Sequence, residues 1–248
     1  MLVIIVSGAF LVLVAGMGLV RWFKANYLKY NLLRADPLES YKLSGAVTSA
    51  PSLADGVWFL GDSRISHWNM NLFSPPAKLL NLGLDGQTSG QVLGRFRNYL
   101  ATAHPRAIVF QAGINDVKIV GVNRQLRERI ASACFENLAE ILRLCRQSGI
   151  PAVAMPILLT GQIELPRRII WNPDADDALR EINEKLAHFC AAQQFSLFDA
   201  NRVLADDQDH IRARFRNGFL HLNTAGYEAL TVALNREYGS LWTARKTP

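Results

Sequence analysis

Val57-Trp58-Phe59-Leu60-Gly61-Asp62-Ser63 runs four large apolar residues straight into a glycine, an aspartate and a serine. A short continuous apolar run closed by turn formers reads as a strand buried on both faces. A strand that enters a glycine turn in this way delivers the serine hydroxyl to its carboxyl edge. A hydroxyl needs a neighbouring base before it becomes a useful nucleophile, and His221 in His221-Leu222-Asn223, near the far end of the chain, is the candidate. The pair reads as a serine hydrolase.

From that strand onward, short apolar runs alternate with longer amphipathic ones. Strands are predicted at Val57–Leu60, Leu79–Leu82, Ala107–Gln111, Pro151–Ile157 and Phe195–Phe198. Helices are predicted at Ser89–Thr102, Asn123–Gln147, Asp176–Gln194 and from Thr224 through Asn235. In the longest of them Leu126, Ile130, Cys134, Leu138, Ile141 and Cys145 keep one apolar stripe, and Gly149 follows as a C-terminal cap. Alternation of this kind implies an α/β fold in three layers, α/β/α, with a central five-stranded parallel sheet covered on both faces. Reactive groups in such open sheets collect at the carboxyl ends of the strands.

The 248 residues are enough for one such domain and an appendage, but not for two catalytic domains. The formal charge of +6 comes from basic residues dispersed among acidic ones, with no aromatic RNA-binding motif between them, so nucleic acid is not the expected partner. Leu2 to Val20 carries no charge and at about 1.5 Å per residue nearly crosses a hydrocarbon core of about 30 Å. It reads as a transmembrane helix. A basic leader and a small-x-small cleavage site are missing, which favours an uncleaved anchor over a signal peptide. The expected organisation is an anchor over residues 1–23, a linker over 24–52 and a catalytic domain over 53–248. This places the protein at a bacterial inner membrane, with the membrane as a partner. Arg21, Lys24, Lys29 and Arg34 after the span would keep the domain in the cytoplasm by the positive-inside rule, whereas envelope esterases usually face the other way. Cys134 and Cys145, about 16 Å apart on one helix, are too distant for a disulfide.

Four segments fall at strand ends or before the last helix: Gly61-Asp62-Ser63, Gly83-Leu84-Asp85-Gly86-Gln87-Thr88, Gly113-Ile114-Asn115-Asp116 and His221-Leu222-Asn223. Each alone has a plain reading as a turn, a positive-φ glycine, a helix cap or a loop polar group. Together, in this order and from about Trp58 to Leu234, they resemble the SGNH (GDSL-type) hydrolase family. The resemblance implies the flavodoxin-like SGNH hydrolase fold, and it implies Ser63 as nucleophile and His221 as general base. It further implies an oxyanion hole built from the N–H of Ser63, the N–H of Gly86 and the side-chain amide of Asn115. No cofactor is implied. Such enzymes act on esters, among them O-acetylated glycans, lipid acyl esters and thioesters; the alternatives are an acyltransferase on the same site and a catalytically degenerate SGNH-like binding module.

One position departs from the family pattern. The aspartate usually found three residues before the histidine is Gly218 here, with Asn217 one step earlier. Asn217 is a candidate for orienting the imidazole without supplying charge. A backbone carbonyl, a carboxylate from the Asp206, Asp207, Asp209 cluster, or nothing at all are the substitutes, and a Ser63–His221 dyad is the preferred version. Asp62 is expected to orient the turn. Trp68 and the segment Leu158–Pro173, with Ile169, Ile170 and Trp171, either line the cleft or pack at the sheet edge, while Arg167 and Arg168 are candidates for attracting an anionic substrate. His67, His104, His188 and His210 occur singly, without metal-ligand spacing, so no metal site is expected.

Overall fold

The computed structural model describes residues 2–35, 56–73, 77–163 and 171–243, with side chains of the first helix described from Phe10 to Asn26. Five parallel strands form the centre in the order β2-β1-β3-β4-β5: β1 is Val57–Gly61, β2 Leu79–Gly83, β3 Ala107–Gln111, β4 Ala152–Ala154 and β5 Ser196–Leu197. The order reverses at β1, which lies between β2 and β3, and that reversal opens a crevice beyond the carboxyl ends of β1 and β3.

The two-residue period of β1 divides the core. Trp58 and Leu60 face a layer made by α3 (Ser89–Leu100), α4 (Ile114–Val122), α5 (Arg127–Gln147) and α6 (Asp174–Gln193). Val57 and Phe59 face the other layer, which contains α2 (Ser63–Ser66), α7 (Ala200–Leu204) and α8 (Thr224–Tyr238). All five residues of β1 are buried, as a parallel strand covered on both sides requires.

β4 is shorter than the sequence pattern suggests, because side-chain amides take over the backbone groups that follow it. Asn183 Oδ1 accepts from the N–H of Ile157 while its Nδ2 donates to the Ile157 carbonyl, both at 2.8 Å. Asn201 donates to the same carbonyl at 3.0 Å and accepts from Leu159 N–H at 3.0 Å. Met155 N–H still reaches Phe110 O at 2.9 Å, and from Ile157 onward side-chain amides meet the backbone groups in place of a ladder.

Helix α1, Leu2–Ala35, corrects one expectation. Among the described residues no helix is long and apolar enough to cross a membrane. Arg21 and Lys24 follow the apolar stretch within the same helix. Good helix formers carry α1 through these charges and over the first part of the expected linker, as far as Ala35. The helix also lies against α4 and α3 rather than standing apart from the domain. The anchor, the membrane as partner and the inner-membrane location expected from the sequence are withdrawn with it. Residues 36–52 of the expected linker lie outside the described residues.

Candidate active site

Ser63 opens α2 immediately after β1 and is nearly buried. Asp62 caps that helix, its Oδ1 accepting from Arg64 N–H at 3.0 Å, which holds the turn that presents the serine. Burial raises the Asp62 carboxyl above its usual range, against the pull of Arg64 and its own hydrogen bonds. Two glycines make the turn possible by close approach. A Cβ on Gly61 would lie 2.1 Å from the Gln111 carbonyl oxygen, and one on Gly83 would lie 2.1 Å from Ser66 N, so β1 and β2 must both end in a residue without a side chain.

Arg64 points into the protein. Its Nε donates to Leu220 O at 2.9 Å, Nη1 to Leu158 O at 2.6 Å and Nη2 to Leu159 O at 3.4 Å, which fastens the Ser63 turn to the segment leading into His221 and to the chain after β4. Burial brings its guanidinium down to about 10, still charged at neutral pH. Tyr227 OH donates to Arg64 O at 3.0 Å. On the other side, Asn81 Nδ2 reaches Ile65 O at 2.8 Å and Trp68 O at 2.9 Å, and Arg95 Nη2 reaches Gly61 O at 3.1 Å. The sequence shows these polar side chains as isolated residues on apolar stretches. Their burial was the missing signal, and only tertiary contact supplies it.

Gly86 sits in the loop after β2 with φ 76°. Asn115 lies in the first turn of α4, buried, with its amide orientation decided by neighbours. Lys118 Nζ, which can only donate, contacts Asn115 Oδ1 at 2.9 Å, and Asn115 Nδ2 donates to Gln87 O at 2.8 Å. That amide carries a second N–H, for which no acceptor is found among the described residues. Asp116 is turned away from the crevice, accepting from Ser89 N–H at 2.8 Å and Ser89 Oγ at 2.7 Å, and burial pushes its carboxyl up to about 6.

His221 enters on a two-residue hairpin: β6, Arg216–Asn217, pairs antiparallel with β7, His221–Leu222. Its Nε2 lies 3.2 Å from Ser63 Oγ across 158 positions of chain. Burial lowers the imidazole below 6.5, helped by Arg64, His67 and Lys118 and opposed by Asp85. Among the described residues nothing accepts a hydrogen bond from its Nδ1. Asn217 is the backbone neighbour of His221 in the hairpin, but its exposed side chain makes no hydrogen bond to the ring. The Asp206, Asp207, Asp209 cluster is engaged elsewhere: Asp206 accepts from Gln208 N–H and His210 N–H, and Asp209 faces Arg180 at 4.0 Å.

A cavity of about 610 Å³ adjoins His221, lined mainly by Phe23, Val122, Trp171, Phe219 and Leu220, with Lys118 and Asn217 as polar members. Trp171 thus lines the cleft, packing on Gly121 and edge-on to Phe219 at 5.4 Å. Trp68 does not. It is buried against Phe59, Phe73 and Tyr227 and donates to Thr231 Oγ1 at 2.9 Å. Arg167, Arg168, Ile169 and Ile170 lie outside the described residues. No cluster of metal-ligating side chains occurs among the described ones, and Cys134, Cys145 and Cys190 are free and buried.

Comparison with known proteins agrees with this architecture. Residues 52–229 match the model of the GDSL-like Lipase/Acylhydrolase family. No curated protein matches the chain. Solved structures share the fold at low identity. A GDSL-like lipase from Bacteroides thetaiotaomicron superposes with a TM-score of 0.63 at 20% identity, covering 82% of this chain and 97% of that one. A member of the lipolytic protein G-D-S-L family from Veillonella parvula gives 0.57 at 19%, covering 75% and 98%. The lipase/acylhydrolase from Enterococcus faecalis gives 0.55 at 17%, covering 78% and 100%. With most of its length inside the matched region, the chain belongs to the GDSL-like lipase/acylhydrolase family of serine hydrolases, and the reaction it catalyses is the hydrolysis of esters.

Proposed function

We propose that residues 53–248 form the catalytic unit of an esterase in which Ser63 attacks, His221 acts as base, and the preferred substrates carry an apolar acyl chain. The observation that carries this reading is the 3.2 Å contact between Ser63 Oγ and His221 Nε2 beside a largely apolar cavity of about 610 Å³.

The steps follow from the groups in reach. His221 Nε2 takes the Ser63 proton as Oγ bonds to the ester carbonyl carbon. The charge that develops on the carbonyl oxygen is met by the Ser63 N–H, the Gly86 N–H and the second N–H of Asn115 Nδ2. Donors held in place before the reaction cost no reorganisation when the charge appears. Collapse breaks the carbon–oxygen bond to the alcohol, which leaves with the proton from His221. Water then loses a proton to His221, attacks the acyl group on Ser63, and the acid departs as the hydroxyl is restored.

Phe23, Val122, Trp171, Phe219 and Leu220 favour a lipid-like acyl ester over an O-acetylated glycan, since an acetyl group would leave most of that surface uncovered. Each methylene buried contributes about 0.8 kcal/mol, which corresponds to about fourfold in kcat/KM. A series of p-nitrophenyl esters from acetate to octanoate, assayed on the full chain, should show kcat/KM climbing with length. A response that falls from acetate onward would overturn the acyl-chain assignment. In parallel, a fluorophosphonate probe should label the wild type and leave Ser63→Ala unlabelled, and equal labelling of both would remove Ser63 from the reaction.

A further inference from the structure

The imidazole of His221 lacks the carboxylate that the family pattern would place three residues earlier, yet a carboxylate stands close to it from another direction. His67 is the C-terminal cap of α2, four residues after the nucleophile, and its ring packs against that of His221 with centroids 5.2 Å apart and planes inclined by 43°. On its other side His67 Nε2 lies 3.1 Å from Asp85 Oδ2, in the loop between β2 and α3. A carboxylate only accepts, so Nε2 of His67 carries a proton and donates it to Asp85. The order in space is Asp85, His67, His221, Ser63, with each adjacent pair in contact.

Resting on the assignment of His221 as the base, we propose that Asp85, held through His67, is a positioning residue that stabilises the charge arising on His221 when it takes the serine proton. The proton itself stays on His221. Asp85 supplies negative charge from beyond the His67 ring, which packs at a tilt against His221 and fixes the plane of its neighbour.

The groups facing His221 explain why such support is needed. Arg64 from the nucleophile turn, His67 from its cap and Lys118 from α4 each disfavour a second positive charge there, and Asp85 from the β2 loop favours one. Hydrogen bonds from Ser66 and His67 hold the Asp85 carboxyl below its usual range in spite of partial burial, so it is ionised throughout the pH range in which His221 titrates. Its side chain is 61% exposed and that of His67 44%. Solvent therefore screens the interaction, and the support is much weaker than that of a buried triad carboxylate.

Asp85→Asn keeps the size and the acceptor oxygen for His67 while removing the charge. NMR titration of the His221 ring in the full chain should show its midpoint fall by about half a pH unit in this variant, as loss of a screened negative neighbour implies. Asp85→Glu should restore it. In ester hydrolysis the same variant should lose about threefold to fivefold in kcat with KM unchanged, against about 10⁴ when a buried triad aspartate becomes an amide. A His221 midpoint that stays at the wild-type value or rises in Asp85→Asn would overturn the proposal. Because the titration needs no turnover, that result is distinct from failure of the esterase reading, which would appear as a wild-type protein that neither hydrolyses esters nor reacts with fluorophosphonate.

Discussion

Ser63 and His221 meet at 3.2 Å, but the two sides of that contact are built differently. Ser63 follows a fully buried strand, and its turn is pinned by the Asp62 cap, by the Asn81 bonds to Ile65 and Trp68, and by Arg95 at Gly61. His221 stands on a two-residue strand in a hairpin, half-buried, with its ring against Ser63 and His67. The link between the halves is Arg64, which belongs to the first and grips Leu220, Leu158 and Leu159 of the second. The proposed nucleophile therefore sits on a firmly held turn and faces a proposed base whose position depends on contacts from elsewhere, and perturbations should divide accordingly.

The largest effect should come from removing a reacting group on either side. Ser63→Ala and His221→Ala should each lower kcat by about 10⁶, and the double variant should be no worse than either, because the two act as one unit. Asn115→Ala should cost about 10² to 10³ in kcat with little change in KM, as expected for a donor used only in the transition state. Arg64→Met tests the link itself. Leaving three backbone carbonyls without their buried donor should cost about 3 kcal/mol of stability in urea unfolding, and a loss below about 1 kcal/mol would mean the halves are held together by packing alone.

A subtler expectation concerns pH. His221 must be neutral to accept the serine proton, and burial, with Arg64, His67 and Lys118, lowers its affinity for protons. The acid limb of kcat/KM should thus lie below pH 6.5, so that activity persists into mildly acidic solution. A limb at or above 6.5 would mean that the base is more exposed than its surroundings indicate. The smallest change is expected for Asn217→Ala. Its exposed side chain does not bond the ring, and kcat should stay within about threefold of the wild type. A loss as deep as that of His221→Ala would show that the hairpin does orient the base after all.

The two halves were also unequally legible. Val57–Leu60 announces a buried strand by composition, and turn residues follow it, so local chemistry alone located Ser63 and the parallel sheet around it. Hydrophobic period likewise located α3, α5, α6 and α8 but not the short helices α2, α4 and α7, and it erred at strand and helix ends where Asn183, Asn201 and Asn123 divert backbone groups. The N-terminal apolar run misled for the same local reason. Hydropathy counts residues along the chain and does not see that the helix continues through Arg21 and Lys24 and lies against α4.

What the sequence by itself determined was the order of strands and helices, the serine at the end of the first strand and the family resemblance, because each depends on short-range pattern. Tertiary structure alone decided which polar side chains matter around them. Arg64, Asn81 and Arg95 carry no signal in the sequence until folding sets them against carbonyls, and His67 and Asp85, 18 positions apart, become neighbours only when the fold brings them together beside His221. Electrostatic support for a base acts through space, and residues distant along the chain become neighbours only when the sheet and its connections are formed.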